Sequence, residues 1–304
     1  MTTFKGFAFL VLAAITFTTL SAETRCPGNV ASVPLQIVNR HQFLIEVSVN
    51  HSGPYSFLFD TGTQITMVDL SLAAELHLST QGSANVTSAG SSSSASFAQI
   101  DLLEVGSQSV ANQTVLVYDF SNMNSTNRSI RGILGQDFLG QFDMLIDNAH
   151  GMLCLDGSTT LRASVKGQHI PLVDSAQSAN SNSLPGQLIV AARIADGKRP
   201  IHLKLDSGAN VSLLYDVDRF MVPSLFRTAK FEGKGVDCKQ RVFSALPLQE
   251  VKIGSFGLSK VTFITSQETQ SNANPAELDG LLPTQLFRRI FVNHADHFAV
   301  LEAW

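Results

Sequence analysis

Two aspartates share the same kind of neighbours. Asp60 opens the tripeptide Asp60-Thr61-Gly62, and Asp206 opens Asp206-Ser207-Gly208, 146 residues later in a chain of 304. Each follows a largely apolar run, Tyr55-Ser56-Phe57-Leu58-Phe59 in one case and Ile201-His202-Leu203-Lys204-Leu205 in the other. One such tripeptide says little, because aspartate often opens a turn after a strand. Two copies in equivalent settings point to a pair. Two carboxyls held side by side cannot both ionise comfortably, so they share a proton and titrate as a unit. The ionised member can take a proton from water while the protonated member gives one to a carbonyl oxygen. That is general acid–base catalysis needing no metal, cofactor or covalent intermediate. Thr61 and Ser207 each offer a hydroxyl able to tie one turn to the other. Gly62 and Gly208 let backbone approach the carboxyls in turn geometry closed to larger residues. Phe57, Phe59, Leu203 and Leu205 are expected to limit solvent around the pair.

The elements that would position these turns occur twice in the same order. Val33-Pro34-Leu35 and Ile170-Pro171-Leu172 open the two units. Extended segments follow at Phe43 and Gln187, then polar reversals at His51-Ser52-Gly53-Pro54 and Asp196-Gly197-Lys198-Arg199. Gly90 and Gly235 lie in hairpin-like polar stretches 30 and 29 residues beyond their aspartates. Gly132-Ile133-Leu134-Gly135 and Gly280-Leu281-Leu282-Pro283 follow at 72 and 74 residues. A short amphipathic helix and a last strand are expected to complete each unit. Short alternating segments bounded by Gly, Asn and Ser read as mainly β. The expected architecture is two β-barrel lobes about a pseudo-two-fold axis, with short helices, bringing the acidic turns together at the axis. The boundaries are a leader over 1–22, a first lobe over 33–156, a linker and lead-in over 157–186 and a second lobe over 187–304.

Composition removes several other classes. The chain is 44% hydrophobic and 15% charged, enough apolar material for one large domain or two medium ones. Its formal charge is −4 with no run of Lys or Arg, which is not the footprint of a nucleic-acid or membrane-surface binder. Lys5, the apolar run Gly6 to Leu20 and the small pair Ser21-Ala22 read as a secretory leader. An exported protein, periplasmic or extracellular, is expected, with no membrane span in the mature chain. Cys26, Cys154 and Cys238 leave at least one thiol over, and their pairing is open. His294, Asp296 and His297 lack a metal-site pattern and read as a polar turn. Asn85, Asn112, Asn124, Asn127 and Asn210 open N-x-Ser/Thr sequons to which no function is attached.

The two tripeptides, with Gly132-Ile133-Leu134-Gly135 and Gly280-Leu281-Leu282, resemble the aspartic peptidases of the retropepsin-like and pepsin-like branches. The likeness runs over about residues 33–304. It implies that Asp60 and Asp206 are catalytic, that Thr61, Gly62, Ser207 and Gly208 support the turns, and that Gly90 and Gly235 sit on flaps closing over an extended peptide. The resemblance further implies an endopeptidase acting on peptides or unfolded protein. There are departures. No tyrosine lies between Thr80 and Ile100, unlike pepsin-like first flaps, and Pro283 stands where the first unit has Gly135. A fused retropepsin-like pair, meeting within a monomer, describes the pattern best. The alternative is a peptide-binding or assembly protein that keeps the fold without turnover.

Overall fold

Alternating apolar side chains become strands with one buried face, as the two-residue period of extended chain requires. In the strand Gln42–Val49, Phe43, Ile45, Val47 and Val49 all point into the core. The computed structural model describes residues 26–28, 30–38, 41–88, 91–121, 129–173, 186–194, 197, 199–215, 217, 229–234, 240–265 and 278–304. The leader, both flap glycines Gly90 and Gly235, and Cys238 lie outside the described residues.

The protein is mainly β, in two lobes joined by a shared sheet. The first lobe is an eight-stranded sheet in the order Gln36–Val38, Gln42–Val49, Ser52–Phe59, Gly132–Leu134, Met67–Asp69, Gln108–Tyr118, Ser91–Val105, Thr80–Ser88. An extra pairing of Gln42–Val49 with Ser91–Val105 curls it on itself. The second lobe is a nine-stranded sheet, with Gly280–Pro283 between Ser212–Leu214 and Ile201–Asp206. The same local pattern recurs in both. The strand before each aspartate pairs in parallel with the Gly-apolar-apolar strand, Phe57 opposite Gly132 and Leu203 opposite Gly280. That strand pairs antiparallel with the strand after the turn, Met67 opposite Ile133 and Leu213 opposite Leu281.

Six strands drawn from both halves form the base. Their order is Ala31–Pro34, Met152–Asp156, Asp143–Asp147, Arg289–Asn293, Phe298–Glu302, Ile170–Pro171, so each half supplies a hairpin and an outer strand. The halves meet where Met144 faces Val292 and Ile146 faces Ile290. Apolar side chains from both halves, among them Phe59, Phe138, Leu205 and Phe287, fill one continuous core. Burying each side chain of this size contributes about 1.5–3 kcal/mol. Under the base, Leu145, Leu161, Phe291 and Phe298 pack around a disulfide between Cys26 and Cys154, whose Cα atoms are 5.7 Å apart. The bond staples the outer strand to its neighbour, which sequence spacing could not reveal.

Helix is scarce. Leu70–Glu75 is capped by Asp69, whose carboxylate accepts the Ser71 N–H at 3.0 Å. The expected helix after the Gly-apolar motif is a single turn, Gln136–Leu139, in the first half, and only a 3-10 turn, Thr284–Leu286, in the second. The lead-in over 157–186 is partly built into the fold through the helix Thr160–Ser164 and the strand Ile170–Pro171, with 174–185 outside the described residues. Among the described residues no helix is long and apolar enough to cross a membrane.

Candidate active site

Each aspartate stands where a buried strand runs out. The Asp60 N–H donates to the Leu134 carbonyl at 3.2 Å, and Asp206 lies opposite Pro283 in the parallel register. Behind the second turn, a Cβ on Gly280 would fall 2.1 Å from the Leu213 oxygen. Only glycine lets these strands approach so closely.

The two turns then lock together. The Thr61 N–H donates to Ser207 Oγ at 2.9 Å, and the Ser207 N–H donates to Thr61 Oγ1 at 2.9 Å. Each hydroxyl passes its own hydrogen onward across the axis, Thr61 to the Leu205 carbonyl and Ser207 to the Phe59 carbonyl, both at 2.9 Å. Thr61 and Ser207 are fully buried, so every one of these polar groups needs its partner. The structure thus brings Thr61 and Ser207 together, and with them Asp60 and Asp206.

The carboxyls pack against the opposite turn. A Cβ on Gly62 would lie 2.4 Å from Asp206 Oδ2, and one on Gly208 would lie 2.7 Å from Asp60 Cγ. Neither glycine has positive φ. Of the two reasons expected for these glycines, the special turn geometry is corrected, and the close approach to a carboxyl is what excludes a side chain. Asp60 Oδ1 accepts the Gly62 N–H and its Oδ2 accepts the Thr63 hydroxyl, both at 2.8 Å. Asp206 Oδ1 accepts the N–H groups of Gly208 at 2.8 Å and Ala209 at 3.0 Å.

Burial holds the Asp206 carboxyl well above the usual carboxylate range, and the negative charge of Asp60 pushes it the same way. Lys204 and the two N–H groups pull against that rise. Phe57, Phe59, Leu203 and Leu205 are buried in the main core behind the turns, where they anchor the strands that carry the pair.

Four residues enter the site that sequence reasoning did not name. Gln136 donates to the Thr61 carbonyl at 3.1 Å, and Gln285 donates to the Ser207 carbonyl at 3.2 Å. Gln136 is the first residue of the helical turn after its Gly-apolar-apolar motif and Gln285 the second of the 3-10 turn after the other, a recurrence visible in the sequence with a one-residue offset. Thr63 holds Asp60, and the Lys204 ammonium reaches the Gly62 carbonyl at 3.1 Å. Lysine inside an apolar run two places before Asp206 was the available signal. The described residues place the arms of two hairpins, Thr80–Ser88 with Ser91–Val105 and Ala229–Lys234 with Gln240–Ala245, while the tips carrying Gly90 and Gly235 lie outside them. His294 to His297 form a turn between strands, with His294 Nδ1 2.7 Å from the Phe142 carbonyl. Among the described residues no three His, Cys, Asp or Glu side chains gather as metal ligands.

No curated protein sequence matches the chain. A solved structure described as the crystal structure of edgp is similar over 92% of this chain and 96% of its own, with a TM-score of 0.52 and 8% identity. At that identity the likeness concerns the fold. The sequence also matches a family described as aspartyl protease over residues 45–138, a stretch holding the Asp60 turn and the first Gly-apolar-apolar motif. That match supports an aspartic peptidase family and covers the first acidic turn but not the second.

Proposed function

We propose that the protein is an aspartic endopeptidase whose catalytic carboxyls are Asp60 and Asp206. The observation that carries this reading is the packing of each carboxyl against the glycine of the opposite turn, with hydroxyls and amides exchanged across the axis. Asp60 accepts a donor on each oxygen, whereas both N–H donors to Asp206 fall on Oδ1, so the shared proton is placed on Asp206 Oδ2. Asp206, whose carboxyl burial favours in its neutral form, suits the protonated member.

The reaction follows from that division. Asp60 takes a proton from a water held between the carboxyls, and the water oxygen attacks the peptide carbonyl carbon. Asp206 gives its proton to the carbonyl oxygen, producing a neutral tetrahedral diol. Collapse breaks the C–N bond. The nitrogen leaves with a proton from Asp60, and a diol hydroxyl returns one to Asp206. One water is consumed, and the pair ends as it began.

An extended peptide is the substrate class. It would lie across the pair beneath the two hairpins, held in part by backbone hydrogen bonds of the strand-addition kind. The recurring strand pattern supports reading the halves as an internal duplication that works as a monomer. The Cys26–Cys154 disulfide supports export to an oxidising compartment.

Cleavage of an unfolded protein at mildly acid pH tests the proposal. Asp60→Asn and Asp206→Asn are each expected to lower the rate by about 10²–10⁴-fold or more. Retained activity in either variant refutes it. If the unaltered protein cleaves nothing in a broad peptide library from acid to neutral pH, the peptide-binding reading takes its place.

A further inference from the structure

The second acidic turn holds a charge with no counterpart in the first. Side chains two apart on a strand share a face, so Lys204 and Asp206 lie on one side of Ile201–Asp206. The residue two places before Asp60 is Leu58, buried in an apolar cluster with Met67, Leu116 and Ile133. Where one half packs a hydrocarbon beside its carboxyl, the other packs a partly buried ammonium.

An ammonium out of water is costly unless paired and hydrogen-bonded. Lys204 has both kinds of compensation. Its Nζ donates to the Gly62 carbonyl at 3.1 Å, which fixes the charge within the opposite acidic turn. Burial lowers its pKa below the usual lysine range, and the charges of Asp206 and Asp60 pull against that lowering. Across the neighbouring strands, Lys204 faces Ile189 and Leu281, neither of them titratable. Tyr215, beyond Ser212–Leu214, has its phenol pushed up by burial and by Asp206. Farther back along the strand, the His202 N–H donates to Asp279, and Arg199 lies 3.8 Å from the same carboxylate. Among these groups, Lys204 is the cation that pulls the Asp206 carboxyl toward its ionised form.

We infer that Lys204 is a positioning residue that sets the working charge of the pair: anchored on Gly62, its ammonium offsets the negative charge of the singly protonated carboxyls and carries that form to lower pH. This rests on the peptidase reading and deepens it, because the singly protonated pair is the form that can both accept and donate a proton. It also gives the site a built-in tether between halves that carries charge as well as a hydrogen bond.

Lys204→Gln separates these two roles, since the amide can still donate to Gly62 but carries no charge. The experiment uses the full mature chain with ¹³C-labelled aspartate carboxyls, following the Asp60–Asp206 titration by NMR alongside the pH profile of kcat/KM. An opposite charge at contact range lowers a carboxyl midpoint by about one to three pH units. In Lys204→Gln, the titration of the pair and both limbs of the profile are expected to move up by about one unit or more, with Lys204→Arg close to the original. Midpoints unchanged in a folded Lys204→Gln protein overturn the inference and leave Lys204 as a strut only. Should that variant not fold, Lys204→Met, which removes charge and hydrogen bond together, still overturns the inference if the midpoints stay where they were. Absence of cleavage by the unaltered protein would sink the peptidase reading alone, because the carboxyl titration still decides the effect of Lys204.

Discussion

At the Asp60 turn the residue after the glycine is Thr63, whose hydroxyl holds the carboxylate at 2.8 Å. At the Asp206 turn the same place is Ala209, which offers only its N–H at 3.0 Å. Behind them stand Leu58 in one case and Lys204 in the other. Gly135, whose N–H donates to Thr66 Oγ1 at 3.1 Å, corresponds to Pro283, which has no N–H to give. The hydroxyl exchange through Thr61 and Ser207 is by contrast symmetric. The lesson is a division of labour. What joins the turns is matched in both halves, and what surrounds each carboxyl differs, so two chemically identical acids sit in unequal surroundings. The base shows a similar contrast. The outer strand of the first half is stapled by Cys26–Cys154, whereas Ile170–Pro171 is held to Phe298–Glu302 by backbone pairing, with His169 stacked on Phe298 nearby.

The largest effect on stability should come from the staple. The bond closes a long loop, its cysteines lying 128 positions apart in sequence. Cys26→Ser is expected to cost about 2–4 kcal/mol, measured by urea unfolding with and without reductant. A loss near zero would make the two outer strands energetically alike and break the contrast at the base. Next come the matched hydroxyls. Thr61→Val leaves the Ser207 N–H buried without its acceptor, and Ser207→Ala does the same to the Thr61 N–H. Each is expected to cost about 1–3 kcal/mol. Clearly unequal losses in the same unfolding assay would show that the exchange is symmetric in geometry only. The smallest and most pH-dependent effect concerns Asp206 itself. Its carboxyl is raised in the folded state, so the stability that its protonation contributes is complete at low pH and is lost as pH rises through the folded midpoint. Thermal unfolding across a pH series should therefore show Asp206→Asn level with the unaltered protein in acid and more stable toward neutral pH. Parallel curves at every pH would remove the assignment of the proton to Asp206.

Much of this arrangement could be read before any coordinates. Period-two burial and the recurring Gly-apolar-apolar motif announced strands, and the paired tripeptides pointed to residues the structure places in contact. What stayed hidden depends on distance rather than pattern. What excludes a side chain at Gly62 and Gly208 is the opposing carboxyl, 2.4–2.7 Å from where one would begin, and sequence carries no such distance. The pairing of Cys26 with Cys154 needed the fold, because three thiols allow several pairings. Lys204 sat in plain view, but a lysine in a strand reads as solvent-facing until its neighbours are known. The helix expected after the second motif shrank to a 3-10 turn, and Gln285 there reaches both the Ser207 carbonyl at 3.2 Å and the His41 carbonyl at 2.7 Å.

The seam between Asp143–Asp147 and Arg289–Asn293 reaches beyond the single molecule. Parted from its mate, either half would present an unzipped row of amides and carbonyls, ready to template the corresponding row of another copy. Partial opening at high concentration would then lead to swapped dimers, each rebuilding its acid pair from two polypeptides. The contact that assembles the site is also the place where one molecule could lend half of itself to the next.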